Sequence, residues 1–374
     1  MTLEVHILGT SSARPTSSRA VSGSIVSTDE GVFVVDAGEG FQSRFQHQRS
    51  ALKKMDPQSS IRPSRIVGVC FTHAHLDHTW GLLPWLQSMS LDKREQPLYI
   101  MAPTSEEVIQ ALLNGLSIPE EVPSVDFIHQ IRFWMSMVDH EQKLPYEIHY
   151  ILGNPLTDTW VQLNDHAHAE LITTPLTQML GLTSLELNAH ATIHSVPSCA
   201  WSFTQQAHQG VFDRALADEL GLSTRDRSML SAGKNITHNG VELEATSFRG
   251  AGNPPIRLVI SGDTSANAPH LSSLDFCNVL IHEATFTDEH QAQADAFLHS
   301  TSRGAASTAE QMNAEVLCLT HYSNRIKTTE ASIVQASQQS PELRIIAAND
   351  HDRIRIRDNG DVVHFRWIEN SWNE

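Results

Sequence analysis

Short apolar runs, each closed by a small or ligand-type polar residue, recur along most of this chain. Residues 3–8 read as a first strand and lead into the small-residue loop Gly9-Thr10-Ser11-Ser12-Ala13-Arg14-Pro15-Thr16, whose backbone amides can approach a ligand closely. Strands are expected at 24–27 and 32–35, the second ending in Asp36-Ala37-Gly38-Glu39-Gly40. Residues 41–54 mix polar and apolar positions as a helix does. The run 66–71 reads as a buried strand, 79–90 as an apolar helix start and 98–101 as a further strand. Thr104-Ser105-Glu106-Glu107 carries a capping-box pattern and opens a helix. Residues 118–190 hold only scattered apolar runs and prolines, and read as an irregular insertion with Asp165-His166-Ala167-His168 on an exposed loop. A strand-like segment follows at 191–203, then a polar, glycine-containing excursion at 210–253. Beyond it come strands at 256–261, 279–281 and 316–320, a helix at 300–313 and a hairpin around Asn359-Gly360. The pattern is that of an α/β fold, taken as one domain over 1–374.

Chemistry concentrates after the fourth apolar run, in Thr72-His73-Ala74-His75-Leu76-Asp77-His78. A strand entering a tight loop can aim His73, His75, Asp77 and His78 into one cleft. Imidazole and carboxylate suit zinc and similar borderline metals. These four donors exceed what one metal usually takes from a single loop, so two adjacent metals are expected, His73 and His75 on one, Asp77 and His78 on the other. Other strand ends carry the same residue types, namely Asp36, His194, Asp263, His282 and His321, and ligands at carboxyl strand ends converge on one crevice in α/β folds.

Composition narrows the setting. Apolar residues make up 40% and charged residues 18% of 374, which fits a sizeable buried core. No apolar run approaches the length of a membrane span. The N-terminus reads as an immediate strand rather than a secretory signal. Cys70, Cys199, Cys277 and Cys318 lie in or beside apolar runs and read as reduced core thiols, so a cytoplasmic protein is expected. The formal net charge of −17 does not favour a polyanion, although nucleic-acid affinity follows local basic patches.

These motifs, in this order, resemble the metallo-β-lactamase superfamily, and within it the ribonuclease Z (tRNA 3′-processing endonuclease) branch. The residues that carry the likeness are the opening loop 8–16, Asp36 to Gly40 with Gln42, Phe71 to His78, Gly81-Leu82-Leu83-Pro84, Met89-Ser90-Leu91 and Ile193-His194-Ser195-Val196-Pro197. They continue with Ser261-Gly262-Asp263-Thr264, Ile281-His282-Glu283-Ala284-Thr285-Phe286, His299-Ser300-Thr301 and Leu319-Thr320-His321-Tyr322-Ser323. The spacings of 36 residues from Asp263 to His299 and 22 from His299 to His321 also match the family. The resemblance implies an αββα sandwich and two zinc ions. His73, His75 and His194 would hold the first, Asp77, His78 and His321 the second, and Asp263 would bridge them. It further implies a metal-activated hydroxide as nucleophile, His299 as the acid that protonates the leaving 3′ oxygen, Glu283 or a nearby carboxylate orienting His299, Asp77 accepting the water proton, and Asp36 and His282 supporting ligands from outside the metal shell. A precursor tRNA substrate and a homodimer are implied as well.

The chain departs from that branch at its tRNA-gripping arm. Residues 221–234 start like the arm but lack its Gly-Pro pair and keep only Arg225, Arg227 and Lys234, with Arg214 at the base. Arg44, Arg49, Lys53 and Lys54 are the next candidate grip. Leu76 stands where a glycine is common. These departures keep open a second reading, the same di-zinc site acting on a cyclic nucleotide, another phosphodiester, or a sulfate or carboxylic ester. A non-catalytic binding protein is a third, disfavoured by the full donor set.

Overall fold

The computed structural model describes residues 2–141, 144–207, 210–250 and 252–374. Among these, two large sheets pack face to face. The first contains β1 (Leu3–Gly9), β2 (Gly23–Ser27), β3 (Val32–Ala37), β4 (Ile66–Cys70), β5 (Leu98–Pro103), β6 (Ile148–Asn154), β7 (Thr159–Leu163) and β8 (Ala169–Leu171). The second contains β9 (Leu185–Ala191) and β10 (Cys199–Gln205). A separate two-stranded ribbon, β11 (Ile236–His238) and β12 (Val241–Leu243), precedes β13 (Ile256–Ile260), β14 (Cys277–Glu283), β15 (Ala314–Thr320) and β16 (Arg344–Ala347), which complete the second sheet. The chain then returns to the first sheet, where β17 (Arg353–Ile356), β18 (Val362–Ile368) and β19 (Ser371–Asn373) extend the edge beside β1.

Alternation of side chains explains the layering. In β3, Val32 and Val34 enter one core cluster while Phe33 and Val35 enter another. The second cluster lies between the sheets and joins Val5, Phe33 and Cys70 to Leu187, Trp201, Ile260, Ile281 and Cys318. The outer face of the first sheet is covered by helices through Phe45, Trp85, Val108 and Phe127, and that of the second by Ala305, Ala309 and Ala336. The result is the expected αββα sandwich. The strands β3 to β6 run parallel, as do β13 to β16, so their carboxyl ends share one edge of each sheet. No helix among the described residues is long and apolar enough to cross a membrane.

Three segments differ from the sequence-based expectation. Residues 118–190 are largely regular, with a helix at Phe127–Glu141 followed by β6, β7 and β8. Strand β6 is a parallel neighbour of β5, with Ile151 facing one core and Leu152 the other. Burial on both faces removes the polar–apolar alternation that would have marked it. The segment 191–203 is a hairpin broken by a loop: β9 ends at Ala191 and β10 starts at Cys199. Its β-branched residues hid that loop. The capping box at 104–107 does not form. Ser105 is the N-cap but its side chain accepts no cap bond from the helix backbone, and the Thr104 hydroxyl donates to Asp126 instead.

The described residues of the excursion at 210–253 are folded. Helices at Arg214–Glu219 and Thr224–Ser231 and the β11–β12 ribbon surround a small core of Ala217, Leu222, Leu230, Ile236 and Phe248.

Candidate metal centre

The loop after β4 is held at its root by Asp36. The Thr72 amide and hydroxyl each donate to the Asp36 carboxylate at 2.8 Å. His73 then bridges backbone to backbone with Ser198, and the short helix Leu76–Thr79 carries Asp77 and His78. The loop after β3 passes directly beneath. A Cβ on Gly38 would lie 2.0 Å from the Asp77 carbonyl oxygen, so that approach requires glycine. The β9–β10 loop supplies His194. Asp263 and Glu283 come from the ends of β13 and β14, and His321 follows β15. His299 sits between helices Gln291–Phe297 and Ser302–Gln311.

These residues, remote in sequence, converge. One donor atom each from His73, His75 and His194 lies within 4.8 Å of the others, and the same holds for Asp77, His78 and His321. Asp263 stands between the two groups, 3.6 Å from His73, 3.5 Å from His78 and 3.3 Å from His321. His299 lies within the same reach of Asp263 and His194. However, its Nδ1 is taken by Glu283 at 2.7 Å. Glu283 itself accepts from the Thr264 and Thr285 amides and the Thr285 hydroxyl, so its oxygens are spent on holding His299 in place.

The outer ring nitrogens are also committed. His78 Nδ1–H donates to Asp36 at 2.7 Å, and His194 Nδ1–H donates to the Leu298 carbonyl at 3.1 Å. The Thr285 hydroxyl donates to Glu283 and accepts from His321 Nδ1–H at 3.0 Å. Such contacts fix the tautomer and turn the remaining nitrogen inward. The inward Nε2 atoms of His78 and His321 then face each other at 3.3 Å, an arrangement that needs positive charge between or on them. Among the described residues, buried His73 Nε2 and Asp263 Oδ1 have no hydrogen-bond partner. Orphaned donors of this type, in a cluster of imidazoles and carboxylates, fit metal ions.

Electrostatics agree with this. Burial, with the neighbouring imidazoles, pushes His73 well below the usual imidazole range, and burial lowers His75 and His194, which keeps them neutral with lone pairs free. Burial alone would raise Asp263, but His321, His78 and His73 hold it well below the carboxylate range. Burial would lower His299; the Glu283 carboxylate overcomes this and pushes it up to about 9.

His282 departs from its expected supporting role. It is buried, and its Nδ1–H donates to the Glu283 carbonyl rather than contacting a donor of the cluster. Sequence reasoning also missed Thr285, the Leu298 carbonyl and the Ala13 amide, which donates to Asp77 at 2.8 Å. Only the small-residue character of the opening loop signalled the last. Of the expected arm cations, Arg227 is tied to Asp218 and the Leu222 carbonyl. Arg49 pairs with Asp92, and Arg44 with Asp350.

Residues 19–168 match the family model of the metallo-beta-lactamase superfamily. Over 363 residues the chain is 26% identical to a ribonuclease Z of Haloarcula marismortui, covering 95% of this chain and 97% of that protein. It is 25% identical over 370 residues to a ribonuclease Z of Borreliella burgdorferi, covering 97% and 100%. The crystal structure of the short form of human tRNase Z superposes with a TM-score of 0.54 at 20% identity, over 95% of this chain and 99% of that one.

Proposed function

We propose, from the premise that this chain belongs to the metallo-β-lactamase superfamily in its ribonuclease Z branch, that it is a metal-dependent endoribonuclease that cuts precursor tRNA on the 3′ side of the acceptor stem. His73, His75 and His194 would hold one zinc ion and Asp77, His78 and His321 a second, with Asp263 shared. Zinc in such a pair supplies a water-derived nucleophile at neutral pH and offsets charge gathering on the phosphate. The chain's own residues do the rest. His299, charged because Glu283 lies 2.7 Å away, donates its proton to the leaving 3′ oxygen. Asp77 is held well below the carboxylate range by His78 and His321 against burial, so it serves first as a ligand and takes the water proton only in passing. The Ala13 amide steadies that carboxylate from the opening loop. A homodimer working in the cytoplasm completes the reading.

The Glu283–His299 pair beside the donor cluster carries this proposal, because a charged acid is what an alkoxide leaving group requires and a good leaving group does not. The deciding experiment compares precursor tRNA with a small aryl phosphodiester, using metal-replete protein. Cleavage of the tRNA at the acceptor-stem boundary is expected. Turnover of the aryl ester alone would replace this reading by one in which the same centre serves a small ester. The net charge of −17 and the arm cation spent on Asp218 favour that second reading.

A further inference from the structure

A cleft of about 460 Å³ opens beside the donor cluster, within the roughly 300–1,000 Å³ typical of small-ligand sites. His75, His194 and His299 form its inner wall. Its rim combines Phe297, which is 60% exposed, with Arg14 and Arg325. Both arginines are exposed, and neither guanidinium has a hydrogen-bond or ion-pair partner among the described residues. Unspent cations at the mouth of a cleft, in a chain of net charge −17, mark a place where an anion is wanted.

Phe297 is fixed to the centre. It is the last residue of its helix, which stops because Leu298 adopts a left-handed φ of 56°. The Leu298 carbonyl accepts from His194, and the His299 amide donates to Ala294 in the helix. The ring therefore stands two residues from the proton donor on a backbone that the metal centre itself holds.

We infer that Phe297 is a stacking platform for the base of the nucleotide whose 3′ oxygen leaves, with Arg14 and Arg325 receiving its flanking phosphate. This rests on the nuclease reading above. A bare aromatic face takes any base, and the planar guanidinium fork matches phosphate oxygens. The leaving nucleotide is the one assigned because His299, which protonates its oxygen, lines the same cleft.

The test is a cycle of two proteins and two substrates, using metal-replete full-length chain. Precursor tRNA with an intact base at the leaving nucleotide is compared with the same RNA made abasic there, for the parent and for Phe297→Ala. Removing the base should raise the parent's KM about 5- to 100-fold, and removing the ring should raise KM for the intact RNA comparably. The two losses together should be little worse than either alone, and Phe297→Trp should restore KM. Zinc content and thermal midpoint should match the parent, which separates lost stacking from misfolding. RNA cleavage indifferent to the base, or two losses that simply multiply, would overturn the platform and leave the nuclease reading standing. A changed oligomeric state of Phe297→Ala with unchanged KM would assign the ring to a subunit contact instead and overturn the inference. No RNA cleavage by the parent would remove the nuclease reading, and the platform with it.

Discussion

His299 and Glu283 show how much one side chain depends on another. His299 is 15% exposed at its side chain, and burial would discharge it without the carboxylate 2.7 Å away. His299→Ala should therefore keep its metal and lose about 10²–10⁴-fold in turnover of RNA. The loss should shrink for an aryl phosphodiester, whose leaving group needs little protonation. Elemental analysis beside kinetics checks both parts, and loss of metal would make His299 a ligand. Glu283→Gln follows the sign of the shift. His299 is raised to about 9, so its acid form persists below that pH and activity falls as pH rises through it. Without the charge, the alkaline decline of kcat should move to lower pH; an unmoved decline would detach Glu283 from the acid. Asp263→Ala should release both metals together, read by elemental analysis, since Asp263 lies within 3.6 Å of His73 in one group and 3.5 Å of His78 in the other. Backbone strain sits at the same place. Asp36 and His321 both adopt φ of 59°, a conformation that costs non-glycine residues energy and persists where surrounding contacts hold it.

Loops and short elements, rather than the long strands, set the site's tolerance to change. Gly38→Ala puts a methyl group against the Asp77 carbonyl, where backbone cannot yield as a flexible side chain would. It should lower the thermal midpoint and the affinity of the Asp77–His78–His321 group, measured by metal titration, while a substitution at the open Gly40 end of the same turn should be judged by its φ of 81° alone. The arm-like excursion is a small folded unit, and its cations are unequal. Arg227 is engaged with Asp218, whereas no ion pair holds Arg225 or Lys234 among the described residues. Changing Arg225 and Lys234 together to alanine should raise KM for tRNA with kcat little altered. Each lost phosphate contact should flatten the slope of log K against log salt by about 0.7–0.9. Adding Arg227→Ala should cost less through binding than through the stability of the excursion. An unchanged salt slope would place the tRNA grip elsewhere.

The whole molecule adds a pH dependence of its own. His6 lies fully buried on β1, and burial lowers it from 6.5 to about 4. The unfolded chain therefore binds this proton more tightly than the native one between those values. The stabilisation is complete above about pH 6.5 and declines as pH falls towards 4, by at most roughly 3 kcal/mol. Denaturant unfolding at pH 7 and pH 4.5 should show a steeper loss in the parent than in His6→Gln. Metal release also destabilises on acidification, so the difference between the two proteins is the quantity to read. Equal slopes would mean that His6 is already charged in the fold.

Local pattern determined a good deal by itself. The order H-x-H-x-D-H after an apolar strand and the polar residue closing each later strand are properties of neighbouring residues, and the local pattern encodes them. That pattern indicates an α/β fold, and the family resemblance it carries implies the αββα arrangement, in which sheets apolar on both faces are covered on both. Strand β6 escaped notice because double burial erases alternation, and the loop bearing His194 escaped because residues 192–198 include strand-type side chains that tertiary contacts, among them the His73–Ser198 bridge and the His194–Leu298 hydrogen bond, organise into a loop. Tertiary structure decided which donor atoms lie together and that the Glu283 carboxylate raises His299. His299 meets Glu283 across 16 positions and His78 meets His321 across 243. No local pattern encodes such a distance; it arises only when two packed sheets bring their carboxyl ends to one edge.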